Sequence, residues 1–296
     1  MNRIVLLLVL LVSPLSARAL DVFACEPEWG ALVAEIAGDA AEITVATTAF
    51  QDPHHLQARP SLIAAARGAD LLVCSGADLE VGWLPPLLRR SGNPGIQAGN
   101  SGYFLAADYV RKLEVPKVID RSHGDIHPQG NPHVHLHPRN IERVAKALAE
   151  RLAEIDTANA STYRDNLEEF LIRWDEAWMT WEAQAADLEG KRLVSYHLSF
   201  SYLADWLGLD IVATLEPKPG IPPSGAQLAR LLKQLTPNPP AAIIRAPFEN
   251  EKPAKWLSDR LGVPDTELPY TVNGTDAAID LITLYSETIR MLQETG

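Results

Sequence analysis

Short apolar or β-branched runs alternate with amphipathic stretches from Leu20 onward, a pattern that is typical of a parallel sheet covered by helices. In the first half, the short runs predict strands, and stretches with apolar positions three or four apart predict helices. The predicted strands are Leu20–Cys25, Glu42–Thr48 and Asp70–Cys74, and the predicted helices are Trp29–Ile36, Pro60–Arg67, Leu79–Leu88 and Arg139–Ile155.

The same alternation resumes after Gly190, so the second half repeats the architecture predicted for the first. Its predicted strands are Arg192–Tyr196, Ile211–Leu215, Ala241–Arg245 and Glu267–Val272. Its predicted helices are Phe200–Trp206, Ser224–Leu235, Glu251–Leu261 and Ala277–Leu292.

The longest helical pattern runs from Ala158 to Leu188, with no glycine or proline before Gly190. At 1.5 Å per residue such a helix would be about 45 Å long, enough to run the height of two domains. Its aromatic residues recur three or four positions apart, which predicts a buried stripe rather than a binding surface. The predicted fold class is α/β, with two lobes that each have a mostly parallel sheet flanked by helices and are joined by one long rigid helix. The predicted boundaries are residues 20–157, 158–188 and 189–296.

Residues 1–19 have the pattern of a signal peptide. Arg3 gives a small positive region, Ile4–Leu15 is an apolar run too short to span a bilayer, and Ala17–Ala19 supplies the small residues of a cleavage site. An uncleaved anchor is one alternative. A lipid-modified Cys25 is another, although this modification would remove the first predicted strand. The pattern therefore predicts export.

Length, charge and cysteine content bear on the number of domains, the class of partner and the presence of a disulfide. A chain of 296 residues is too long for one ordinary core and sufficient for two domains. The formal net charge of the chain is −12, whereas nucleic-acid recognition requires a basic surface. No nucleic-acid partner is therefore expected. Cys25 and Cys74 each lie near the end of a predicted buried strand, and an oxidising compartment would allow a disulfide between them. Two buried thiols are the alternative.

Histidines are concentrated in one segment of the chain. Arg121–Pro138 holds five of the eight, and its prolines and glycines predict a loop. The others are His54, His55 and His197, which follow predicted strands and so lie where open α/β sheets bind ligands. If the fold brings three imidazoles together from these loops, the result is a site suited to zinc.

The histidine motifs resemble those of the metal-binding periplasmic solute-binding proteins of ABC transporters, the zinc and manganese group. The first family motif, D-P-H with a proline six residues later, is matched by Asp52–His54 and Pro60. The second, D-P-H followed by alternating hydrophobic positions and a proline, is matched by Asn131–Pro138. The third, serine-x-histidine after a strand and before an aromatic residue, is matched by Ser195–His197 and Phe200. The resemblance covers essentially the whole chain after residue 19.

The resemblance implies that His54, His133 and His197 are metal ligands. Manganese-type relatives have a carboxylate in the third position, so a histidine there favours Zn²⁺. The fourth ligand departs from the family pattern. Asp276, in the loop after the last predicted strand, is our candidate, although an acid there can also cap the following helix. Glu267 and a water molecule are the alternatives.

Further histidines of the loop are open to two interpretations. His123, His127, His135 and His137 form an auxiliary metal-capture site, or they are polar loop residues without a metal. His55 is expected to be only a neighbour of the site, because the proline spacing favours its predecessor as the ligand.

The resemblance implies a periplasmic protein that binds Zn²⁺ between its lobes and delivers it to an ABC permease. The chain is expected to act as a monomer, with a periplasmic metal donor considered as a further partner. A periplasmic zinc hydrolase with a three-histidine site is the alternative, but no H-E-x-x-H motif is present. An adhesin on the same scaffold is a third possibility on which no residue reports.

Overall fold

Residues 18–116 and 127–295 are described by the computed structural model, and in this part of the chain each half forms one four-stranded parallel sheet. The strands are β1 (Leu20–Ala24), β2 (Ala41–Val45), β3 (Leu71–Cys74), β4 (Tyr103–Leu105), β5 (Arg192–Ser195), β6 (Asp210–Thr214), β7 (Ala242–Arg245) and β8 (Asp265–Glu267). The sheet orders are β2-β1-β3-β4 and β6-β5-β7-β8, so the two halves have the same topology. The predicted two-lobe α/β fold is confirmed.

Helices flank both sheets, as the sequence pattern predicts. They are α1 (Pro27–Ala37), α2 (Pro60–Gly68), α3 (Leu84–Ser91), α4 (Pro138–Ile155), α5 (Ala160–Ala185), α6 (Ser201–Leu207), α7 (Gly225–Leu235), α8 (Glu251–Leu261) and α9 (Leu281–Gln293). Within the described ranges, none of these helices combines the length and hydrophobicity that crossing a bilayer would require.

Several predicted boundaries differ from the structure, and prolines explain two of the differences. The helix predicted to begin at Leu79 begins at Leu84, because Pro85 and Pro86 are tolerated only in a first turn. The last strand ends at Glu267 rather than continuing to residue 272. Pro269 cannot donate a hydrogen bond to a neighbouring strand, so the chain leaves the sheet there.

The long helix α5 carries the aromatic stripe into the core, as predicted. Tyr163, Phe170, Trp174 and Trp181 are fully buried. The indole of Trp174 lies 5.1 Å from that of Trp181 and 5.4 Å from the ring of Tyr285 on α9, measured between ring centroids. The helix also packs against α1 and α4, so it touches elements of both halves.

The two lobes therefore share one core. A single hydrophobic cluster extends from Trp29 on α1 through the aromatic residues of α5 to Ile289 on α9. Rotating one lobe against the other would expose large aromatic side chains to water, at roughly 25 cal/mol for each Å² of apolar surface. The packing favours small adjustments of loops over wide opening.

The disulfide between Cys25 and Cys74 is present, which confirms the pairing suggested by the sequence. Cys25 directly follows β1, and Cys74 ends the neighbouring parallel strand β3. Their Cα atoms are 4.8 Å apart, within the usual range for a disulfide. The bond fastens together the strand ends from which two loops of the first lobe depart.

Replacing Trp174 with alanine is expected to lower the free energy of unfolding by about 3–5 kcal/mol, because it leaves a large cavity in the shared core. The matched control is Ile172→Ala on the exposed face of the same helix, which should change that free energy by less than about 0.5 kcal/mol. Urea denaturation measures both. Equal effects of the two substitutions would contradict a shared core.

Candidate metal centre

Three histidines from distant parts of the sequence meet between the lobes. The ring nitrogens that His54, His133 and His197 offer all lie within 4.8 Å of one another. His54 lies in the loop after β2, His133 precedes α4, and His197 lies two residues beyond β5. The structure thus brings together the three residues that the motif resemblance selects.

The residues around each histidine explain the local geometry. In the first two motifs, a side-chain oxygen two residues earlier accepts the backbone N–H of the histidine: Oδ1 of Asp52 for His54 and Oδ1 of Asn131 for His133, both at 2.9 Å. These are Asx turns, which short Asp and Asn side chains form readily. In the third motif, the hydroxyl of Ser195 donates to the carbonyl oxygen of His197 at 2.5 Å.

Each of the three imidazoles is held by its Nδ1 atom. Nδ1 of His54 lies 2.7 Å from Oδ1 of Asp52, and Nδ1 of His197 lies 2.7 Å from Oε2 of Glu216. Nδ1 of His133 lies 2.6 Å from the hydroxyl of Tyr270. A partner on one ring nitrogen fixes the orientation of the ring and leaves the other nitrogen, Nε2, free to bind a metal.

Burial and charge favour the neutral, metal-binding form of His133. Its Nε2 atom is buried and has no hydrogen-bond partner, which is costly unless something binds it. Burial, followed by the neighbouring histidines, holds the pKa of His133 well below its usual range. For His197, burial lowers the pKa, but the hydrogen bond and charge of Glu216 outweigh it and raise the pKa overall.

A cavity of about 220 Å³ opens beside the histidines. Its lining includes three carboxyl groups, those of Asp52, Glu216 and Glu249. The first two orient histidines, whereas Glu249 accepts the backbone N–H of Ala246 at 2.7 Å. Burial raises the pKa of Glu249 to about 8. Glu249 is therefore mostly protonated near neutral pH, and the carboxyl groups of Asp52 and Glu216 are the ones that make this partly enclosed site attractive to a cation.

His127 lies at the edge of this group. Its Nε2 atom is 3.2 Å from Nε2 of His54, although the side chain is not within reach of all three histidines at once. Burial and the neighbouring histidines lower its pKa to about 3, so the imidazole is neutral at physiological pH. Of the four histidines expected to form an auxiliary loop site, this is the one adjacent to the three-histidine group.

Asp276 lies away from the histidines. Among the described His, Cys, Asp and Glu side chains, the group within 4.8 Å holds only the three histidines, and Asp276 is exposed. Backbone hydrogen bonds from Asn273 to Ala278 and from Ala278 to Thr275 close the turn and hold Asp276 at the surface. The prediction that Asp276 completes the ligand set is not supported by this geometry.

The alternative fourth ligand is also engaged elsewhere. The carboxylate of Glu267, on β8, forms a salt bridge of 2.6 Å with Arg245 on the neighbouring strand. It therefore stabilises the edge of the second sheet and does not face the three histidines.

Two of the remaining loop histidines, His135 and His137, lie in the described part of the chain, and each has its own local partners there. His135 is buried, with Nε2 donating to the carbonyl of Tyr270 at 2.8 Å and Nδ1 lying 3.1 Å from Oε1 of Glu28. His137 accepts the backbone N–H of Arg139 as the N-cap of α4. His123 lies outside the described residues. The local contacts of His135 and His137 agree with the second interpretation, in which they are polar residues without a metal.

Three side chains at the site were missed by sequence reasoning. Tyr270 gave no usable signal, because it falls within the predicted last strand, where an aromatic residue is ordinary. Glu249 follows β7, and Glu216 follows β6 by two residues. A carboxylate just beyond the end of a parallel strand is a signal that could have identified Glu216 and Glu249.

Comparison with known proteins agrees with the fold. A family model described as ZnuA, the periplasmic component A of the zinc-uptake complex, matches residues 22–295. The zinc-binding lipoprotein AdcA of Streptococcus pneumoniae strain R6 is 24% identical over 268 residues, which cover 88% of this chain and 52% of AdcA. The high-affinity zinc uptake protein ZnuA of Bacillus subtilis strain 168 is 22% identical, over 81% of this chain and 74% of that protein. The chain spans about half the length of the first curated relatives it matches.

Solved structures share the same fold. The crystal structure of ZnuA has a TM-score of 0.77 and 22% identity, covering 94% of this chain and 100% of the other. The manganese-bound periplasmic metal-binding protein of Candidatus Liberibacter asiaticus has a TM-score of 0.74 and 18% identity, covering 93% and 98%. Because the family match extends over nearly the whole chain, the chain belongs to the ZnuA family, the periplasmic component A of zinc-uptake complexes.

Proposed function

We propose that this protein captures Zn²⁺ between its lobes in the periplasm and delivers it to an ABC permease. The observation that carries the proposal is the convergence of three imidazoles within 4.8 Å, each held by Nδ1 so that Nε2 can bind a metal. Neutral imidazole nitrogens are preferred ligands of zinc, at about 2.0–2.1 Å.

The chemistry of the ligand set favours zinc over harder cations. Relatives of this chain include a manganese-transporter lipoprotein, PsaA of Streptococcus pneumoniae, at 25% identity, and an iron-transporter lipoprotein, MtsA of Streptococcus pyogenes, at 24%. Manganese prefers carboxylate and carbonyl oxygens, whereas imidazole suits zinc. Among the described residues, the group within 4.8 Å consists of three nitrogen donors without a carboxylate, which supports zinc as the cargo of this chain.

His127 is proposed as the fourth ligand. Its Nε2 atom, 3.2 Å from that of His54, needs only a small movement to reach an ion held by the three histidines. Four imidazoles would complete a tetrahedral shell around zinc. A closed shell leaves no position for a substrate, which favours binding and transport over the hydrolase alternative.

Release to the permease is proposed to begin at His127. The shared core of the lobes resists wide opening, whereas His127 lies in a surface loop and can move without disturbing the core. Export through the pattern at residues 1–19 would place the protein where a permease in the membrane can receive the ion.

Replacing any one of His54, His133 and His197 with alanine is expected to weaken zinc binding more than 100-fold. Residues that merely orient a metal ligand typically contribute about 10- to 100-fold, so loss of a ligand should cost more. The matched control is His55→Ala, an exposed neighbour of the site that should retain wild-type affinity. Competition with a zinc chelator measures the affinity, and a variant that keeps wild-type affinity would remove that histidine from the ligand set.

Substitution of His127 and Asp276 separates the candidates for the fourth position. His127→Ala is expected to weaken zinc binding by about 10- to 100-fold, since water replaces an imidazole while the other three ligands remain. Asp276→Ala should leave affinity unchanged, because the carboxylate lies at the surface. Isothermal titration with a competing chelator gives both values. The reverse order of effects would restore Asp276 as the ligand.

A further inference from the structure

One segment forms a wall beside the metal centre and is held in an unusual conformation. We name residues Ser75–Trp83 the wall segment. Gly76, Ala77 and Asp78 are consecutive residues with positive φ angles of 77°, 49° and 66°. For residues with a side chain this left-handed conformation costs about 1–2 kcal/mol each. Neighbouring groups must therefore hold the wall segment in place.

The wall segment contacts the histidines proposed to bind zinc. Nε1 of Trp83 donates to the carbonyl oxygen of Pro53, the residue before His54, at 2.8 Å. The imidazole of His127 lies beside Asp78 and the backbone of Ala77. Any change in the wall segment is thus transmitted to both His54 and His127.

Two buried glutamates fasten the start of the wall segment. The backbone N–H and the hydroxyl of Ser75 both donate to Oε2 of Glu26, each at 3.2 Å. The backbone N–H of Gly76 donates to both carboxyl oxygens of Glu80, at 3.1 and 3.2 Å. Glu26 and Glu80 are 1% and 3% exposed, so neither carboxyl group is solvated by bulk water.

The two carboxyl groups accept from the consecutive backbone N–H groups of Ser75 and Gly76, so they lie close together. Oε1 of Glu26 is buried and has no hydrogen-bond partner. Two buried carboxylates that lie close together repel each other strongly when both are charged. A proton between them removes the repulsion and supplies the missing donor at the same time.

We propose that Glu26 and Glu80 share a proton that holds the wall segment in its left-handed conformation and so positions His54 and His127 for zinc. The two glutamates are positioning residues, since neither touches the ion. The inference rests on the proposed zinc-binding function, which supplies the reason why the position of the wall segment matters.

The electrostatic surroundings of the pair agree with a retained proton. Burial, followed by the charges of Glu80 and Glu28, raises the pKa of Glu26, and burial raises the pKa of Glu80 to about 7. The titratable groups that face the pair from neighbouring elements are Glu28 on α1, Tyr103 on β4 and Tyr270 after β8. All of them are acids, so none favours a second negative charge on the pair.

The direction of the pH dependence follows from the raised pKa. A carboxyl group whose pKa is higher in the folded state stabilises that state fully below its unfolded pKa, near 4.5, and loses the contribution as pH rises through the folded pKa. The contribution is therefore lost as pH rises from about 4.5 through about 7, so the pair should hold the wall segment more firmly at pH 6 than at pH 9.

Glu80→Gln tests the proposal, because the amide donates a hydrogen bond to Glu26 at every pH and carries no charge. The melting temperature of the zinc-free wild type should fall between pH 6 and 9 by more than that of Glu80→Gln. The ratio of the zinc affinity of Glu80→Gln to that of the wild type should rise about tenfold over the same range, the equivalent of one pKa unit. The control is Glu42→Gln, an exposed glutamate on β2, which should follow the wild type.

Infrared spectroscopy of the zinc-free wild type provides a readout that does not depend on a variant folding. Buried Glu249 should give a carbonyl band of its own in both proteins, because burial raises its pKa to about 8. In the difference between the spectra of the wild type and Glu80→Gln, a further carbonyl band of a protonated, buried carboxyl group is expected at pH 6 and should be lost by pH 9. The same pH profile for the wild type and Glu80→Gln, or no titrating carboxyl band in that difference, would overturn the proposal. Failure of the wild type to bind Zn²⁺ would contradict the proposed function instead and would leave the infrared result unchanged.

Discussion

The structure depends on one arrangement: three imidazoles from remote loops are each held at Nδ1, so that their Nε2 atoms face a common point. Asp52, Tyr270 and Glu216 provide the three fixed contacts. They come from different parts of the chain, including both lobes, so the site exists only when the lobes are correctly packed. Because the rings are oriented in advance, little conformational entropy remains to be lost when an ion arrives.

The shared core holds the metal-binding histidines in place, whereas the peripheral loops contain the groups that can move when an ion is released. The aromatic residues of α5, such as Trp174 and Trp181, pack against both halves. They thereby keep the histidine loops of the two lobes at a fixed separation. The groups that can move lie outside this core, at His127 and the wall segment that contacts it. A rigid core combined with movable groups beside the site suits a protein that must bind an ion tightly and still release it to a partner.

Local patterns made most of the fold predictable, because strands, helices and turns follow from residue spacing. The three central histidines were predictable from their motifs, and the Asx turns at His54 and His133 show the physical basis of two of them. The location of Asp276 was not predictable, since it depends on where the chain travels after β8. Pro269 ends that strand early, and the closed turn that follows leaves Asp276 at the surface. Likewise, nothing in the spacing of His135 shows that it lies buried beside a glutamate.

The most direct test of this account is a crystal structure of the protein loaded with one equivalent of zinc, with the ion located by anomalous scattering at the zinc edge. We expect one ion bound by Nε2 of His54, His133 and His197 at about 2.0–2.1 Å, with the Nδ1 contacts unchanged. An ion bound elsewhere, or bound through Nδ1 after the rings have turned, would contradict the claim that the fold orients these imidazoles in advance.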